Sequence, residues 1–122
     1  MASTKVVTAI WNSLTLTAGA GDTTSTAITL DDGFGAVLHI KLTNGATGPT
    51  IAAQVQIEVS GDNSEWYKFG GPLLSNTDNN GIESWGGIDL PIGIEYVRLV
   101  AGSNTGQNVI ADADISEVTA LS

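Results

Sequence analysis

The chain has 122 residues, a formal charge of −9, no cysteine, and charged side chains at only 14% of positions. That length is the size of one domain. Disulfides, thiolate metal sites and a cysteine nucleophile are excluded, and so low a charge content excludes a solvated coiled coil or a charge-driven disordered segment. The four cations, Lys5, Lys41, Lys68 and Arg98, are scattered, so neither nucleic acid nor an anionic membrane surface is an expected partner.

The chain opens M-A-S-T-K-V-V-T-A-I-W. A charged stretch followed by an apolar core is missing there, so it is not read as a signal peptide. No apolar run approaches the ~20 residues of a membrane-spanning helix. Residues 1–7 hold Lys5 and little that demands burial, and they are a candidate N-terminal arm on a single domain over 1–122.

Helical periodicity is nearly absent, while period-two alternation recurs along the chain. Short strands are expected at Lys5–Trp11, Leu14–Ala18 and Thr24–Leu30. In Phe34–Thr43, Ala36, Leu38, Ile40 and Leu42 share one face, opposite Val37, His39 and Lys41. In Ile51–Ser60, Ala53, Val55, Ile57 and Val59 oppose Gln54, Gln56 and Glu58. Short strands follow at Trp66–Phe69 and Glu83–Leu90. Val97 and Leu99 then alternate with Tyr96 and Arg98, and Val109, Ala111, Ala113 and Ile115 with Asp112, Asp114 and Ser116. Each alternation is that of a strand with one buried and one wet face. Turns rich in Gly, Asp, Asn and Ser separate the strands, and the chain's 15 glycines fit them. About eight strands so spaced predict an all-β, antiparallel sandwich of jelly-roll type.

Candidate chemistry is sparse. His39, the sole histidine, lies on a wet strand face, where an exposed residue with no catalytic partner is expected. Asp112 and Asp114 point outward about 7 Å apart on pleat geometry. Such a pair can serve glycoside acid–base chemistry, but a solvated strand face is the simpler reading. Asn76–Gly81, N-T-D-N-N-G, resembles the opening of a calcium loop. Its closing glutamate position falls on Gly87, so the bidentate ligand is missing, and only a weak ion is conceivable there. Trp85, Trp11 and Tyr96 are candidates for an interface or for stacking on a sugar. Ser60, Asp62 and Trp66 form a candidate hairpin anchor, with the Trp66 ring packed beneath the turn. No P-loop, nucleophile elbow or H-E-x-x-H occurs, so neither an enzyme nor a cofactor is expected.

The S-x-D-x-x-x-W hairpin (Ser60, Asp62, Trp66), with the later Y-V-R-L strand (Tyr96–Leu99), resembles that of discoidin and galactose-binding-like jelly rolls. Asn63 stands where those hairpins carry glycine, and their disulfide is lacking. The Gly/Thr-rich texture, W-N-S-L-T-L-T-A-G-A-G-D-T-T-S and G-F-G-A-V-L-H-I-K-L-T-N-G-A-T-G-P-T, resembles the small β-sandwich proteins of tailed-phage virions, such as head decoration (cement) proteins. That resemblance implies a structural virion protein made in the host cytoplasm. It would bind the major capsid protein and itself, as a homo-oligomer such as a trimer, and stabilise the head exterior. The alternative is a carbohydrate-binding or receptor-adhesion module of a phage tail or other host-facing structure.

Overall fold

A computed structural model describes residues 3–30 and 35–121, which hold ten strands and no helix. These are β1 (Ser3–Leu16), β2 (Thr23–Thr24), β3 (Ile28–Thr29), β4 (Ala36–Asn44), β5 (Gln54–Ser60), β6 (Tyr67–Lys68), β7 (Leu73–Leu74), β8 (Ile82–Leu90), β9 (Tyr96–Gly102) and β10 (Val109–Leu121). Every pairing between them is antiparallel. One sheet has the order β1-β10-β4-β8. The other has the order β2-β9-β5-β6, with β3 also on β9 and β7 also on β5.

A strand has two edges, and β5 occupies one edge of β9. Thus β2 and β3 are two pieces of one strand on the other edge. By the same logic β6 and β7 are two pieces of one strand on β5. Counted this way the described residues form eight strands, ordered first-eighth-third-sixth and second-seventh-fourth-fifth. This is a jelly roll, as the spacing predicts.

Alternation puts the apolar residues between the sheets. Leu38, Ile40, Leu42, Val109 and Ile115 from the first sheet meet Val55, Ile57, Val97 and Leu99 from the second in one buried cluster. Burying each contributes roughly 1.5–3 kcal/mol. The predicted strand at 34–43 starts two residues late, and Phe34 lies outside the described residues.

Three strands differ from expectation. The two expected at Lys5–Trp11 and Leu14–Ala18 are one strand, β1, with register shifts on either side of Trp11. The first shift leaves Ile10 without an opposite residue, and the second sets Asn12 and Ser13 against Asp112. Ser13 has a φ of 56°, and Asp112 Oδ1 accepts its N–H at 2.8 Å. The strand expected at Thr24–Leu30 breaks in two because Ser25 turns its side chain into the ladder.

The candidate arm is also corrected. From Ser3 onward it is strand, and Ser3–Val7 pair with Ser116–Leu121. The reason is hydrogen bonding: β4 leaves β10 after Glu117, so without β1 the end of β10 would be paired on neither side.

Candidate functional site

The outer face of the first sheet carries a shallow groove of about 470 Å³. Alternation sends His39 and Lys41 of β4 and Asp112 and Asp114 of β10 outward, and the two strands run in direct register, Asp114 opposite His39 and Asp112 opposite Lys41. Bulges on the flanking strands deepen this face. On β1 the bulge around Asn12 and Ser13 forms one wall. On β8, two residues, Gly86 and Gly87, stand opposite the single His39. Gly87 has a φ of 71°, a conformation glycine adopts without strain. With no side chains there, the space beside the imidazole stays open.

His39 Nδ1 lies 3.1 Å from Asp114 Oδ1, and both side chains are about half exposed, at 46% and 47%. A polar contact so open to water contributes at most about 1 kcal/mol, even as an ion pair. Among the described residues no hydroxyl is hydrogen-bonded to the other imidazole nitrogen, and no three carboxylate, imidazole or thiol groups are placed to hold a metal ion. The two aspartates, expected as an equivalent pair, are used differently. Asp114 meets His39, while Asp112 fastens the β1 bulge. The groove can therefore offer hydrogen bonds, but a nucleophile and base are not assembled in it.

The candidate aromatics do not form a platform. Trp85 and Trp11 both border the groove, but both belong to inward positions. Trp11 is paired with Ala113 and is only 9% exposed within the core. Trp85 is paired with Ile40 and packs half-buried against that core. Tyr96 is half-buried on the opposite sheet, between Thr29 and Ser60.

The hairpin anchor is made of polar groups. Ser60 Oγ accepts the N–H groups of Asp62 and Asn63, and donates to Asp62 Oδ1. That carboxylate accepts the N–H groups of Ser64 and Glu65, each at 2.9 Å. These bonds to Glu65, Ser64 and Ser60 hold Asp62 below its ordinary titration range, because they stabilise the ionised form. Trp66 does not belong to the core cluster. Its ring is half-buried, with the Arg98 guanidinium 4.2 Å from its centroid.

Loop 76–81 is tied by Asn44, one residue beyond the strand expected at Phe34–Thr43 and the last residue of β4. Asn44 follows Leu38, Ile40 and Leu42 at the two-residue period and so points inward. Its Nδ2 donates to Asn76 O, Asn76 Oδ1 and Asp78 O at 3.0, 2.9 and 2.9 Å. An amide donor thus fills the centre of the oxygen cluster that a weakly held ion would need.

The four loops at this end of the sandwich are laced together. Gly19 N donates to Asn104 O, Thr50 N to Thr105 O, and Asn80 N to Gly45 O. Gly48 N donates to Asn79 Oδ1, and the buried Asn104 amide donates to Leu16 O and Gln107 O. Exposed Ile51, Leu74 and Ile82 flank these loops.

Comparison with known structures places the fold. The chain shares its architecture with a viral capsid protein. A segment of VP2 in the infectious bursal disease virus subviral particle aligns with 93% of this chain at a TM-score of 0.60 and 11% identity. A chain in the structure of the Gx strain of that virus aligns equally well, at 10% identity. The chain spans about a third of these two viral chains, 32% and 31%. YomS, an SPBc2 prophage-derived protein, aligns over 96% of both chains, with a TM-score of 0.54 and 12% identity. At such identities the correspondence is one of fold. No family model and no curated protein sequence matches the chain.

Proposed function

We propose that this chain is a structural protein of a phage virion, a decoration protein that binds the major capsid protein on the head exterior and stabilises the shell. The observation that carries this reading is the correspondence with a prophage-derived protein over 96% of both chains: the same fold accounts for nearly all of that solved chain. The similarity to a capsid protein segment agrees with it. Attachment is adhesion rather than chemistry, with modest contacts on neighbouring subunits adding through multivalency.

The laced loop end is the capsid-facing surface in this reading. Its loops hold one another through backbone bonds, so little conformational entropy is lost on docking. Ile51, Leu74 and Ile82 supply exposed apolar area around it. Attachment then depends little on salt, since ion pairs play a small part.

Co-sedimentation with capsids of the phage or prophage that encodes the chain tests this. Wild-type protein pellets with capsids, and Ile51→Asp with Ile82→Asp reduces the bound fraction at least tenfold while circular dichroism is unchanged. Absence of capsid binding, together with specific binding on a glycan array, would overturn the reading in favour of a carbohydrate module.

A further inference from the structure

The two sheets have four edges, and three are blunted in ways that prevent strand addition. Both edges of the second sheet are broken into two-residue pieces, β2 and β3 on one side, β6 and β7 on the other. The β8 edge of the first sheet carries Glu83, Asp89 and the Gly86–Gly87 bulge. The fourth edge, β1, is different. It is 14 residues long and pairs only with β10 among the described residues. From Lys5 to Ala9 its register is uninterrupted, with shifts on either side. That stretch contains neither proline nor glycine. Val6 and Val7, on opposite faces, are 48% and 66% exposed, so neither face of the strand is covered there.

β1 carries no acidic side chain of its own. All 13 Asp and Glu residues lie between Asp22 and Glu117, and those next to this edge are Asp114 and Glu117, opposite Ala9 and Val6 on β10. For a molecule of charge −9, contact with another copy through most surfaces brings carboxylates together. β1 is the long edge where that repulsion is least.

We infer that β1 joins a second copy of this chain by antiparallel edge-to-edge pairing about a two-fold axis centred on Val7. A segment paired with itself is matched in length, and the contact is closed, so it stops at a dimer. With Val7 opposite its own copy, Val6 faces Thr8 and Lys5 faces Ala9. The single cation of the segment therefore never meets itself. The four-stranded sheets become one eight-stranded sheet across the dimer, and the exposed valines gain cross-strand neighbours.

The inference stands apart from the virion reading, because its test is association in solution. Analytical ultracentrifugation of the wild-type chain up to roughly 100 μM, a range that detects even weak pairs, yields a reversible dimer. Added salt strengthens it by screening the repulsion between two acidic bodies. Val7→Glu, at an exposed position, shifts the midpoint of association at least tenfold to higher concentration with an unchanged dichroism spectrum. The chain has no cysteine, so single replacements report contacts cleanly. Val7→Cys cross-links to itself under mild oxidation, because directly opposed strand residues bring their Cβ atoms to about 5 Å. Ala46→Cys, on an exposed loop at the other end, does not. A wild-type chain that stays monomeric across this range would overturn the inference. So would a dimer that Val7→Glu leaves intact, one that salt weakens, or equal cross-linking of the two cysteine variants.

Discussion

The Arg98 guanidinium sits 4.2 Å from the centroid of the Trp66 ring, while its Nε donates to Glu58 at 2.8 Å. Trp66, Arg98 and Glu58 thus form a stack on the outer face of the second sheet. The ring covers a charged residue there instead of filling the core. Removing a core tryptophan costs about 3–5 kcal/mol. Removing one that covers an arginine on a partly wet face costs about 1–2 kcal/mol. We expect Trp66→Ala to fall in the lower range in urea unfolding. A double-mutant cycle with Arg98→Ala should return most of that loss as coupling. A loss above about 3 kcal/mol with no coupling would place the ring in the core after all.

Ser25 and Ser75 use one device on two different edges. Ser25 N donates to Leu99 O at 2.8 Å, and Ser25 Oγ accepts the Leu99 N–H at 2.9 Å. Ser75 N donates to Ala53 O, and Ser75 Oγ accepts the Ala53 N–H. In each case a hydroxyl replaces a backbone carbonyl, and the strand breaks where it does so. Leu99 and Ala53 are fully buried, so Ser25→Ala or Ser75→Ala leaves an N–H without a partner at about 1–3 kcal/mol. The two losses should add, since the sites share no partner. Urea unfolding that shows either variant within about 0.3 kcal/mol of wild type would refute this role.

Asp62 gives the fold an acid-side pH dependence. Its carboxylate titrates lower in the folded chain than in the unfolded one, because Glu65, Ser64 and Ser60 donate hydrogen bonds to it. The unfolded state therefore takes up the proton first. The contribution is fully present above the unfolded value, roughly pH 4, and is lost as pH falls through the lower folded value. Asp62→Asn should flatten this part of the stability curve relative to wild type. Parallel acid-side curves for the two proteins would rule the carboxylate out as the source.

Asn44 should behave as the internal occupant of the 76–81 loop. Asn44→Ala removes one donor from each of three acceptors that keep a second, Asn76 O from Ser75 Oγ, Asp78 O from Gly81 N and Asn76 Oδ1 from Asp78 N, and is expected to cost about 0.5–1.5 kcal/mol. Calcium should leave the melting temperature of the wild-type chain unchanged. A calcium-dependent rise would mean that the loop opens to admit an ion and that the amide is displaced.

Much of this molecule was legible before any coordinates. Alternation in Phe34–Thr43, Ile51–Ser60, Glu95–Ala101 and Asn108–Val118 names the residues between the sheets, because a pleated strand turns every second side chain to the same side. The number and spacing of strands were enough for a jelly roll. Asn44 could have been found by the same rule, as a polar residue in phase with buried leucines. Other features depend on partners distant in the chain. Asp112 fastens Ser13 and Asp114 meets His39 only because β10 lies between β1 and β4, placing residues 99 and 75 positions apart in contact. Trp66 looked like a core anchor from its place after a hairpin. It packs instead on Arg98, 32 residues later, a cation on the wet face of β9, two strands across the sheet from β6. The arm became a strand for the same reason: local sequence sets which way a side chain points, but only the assembled sheet decides which backbone edges still lack a partner.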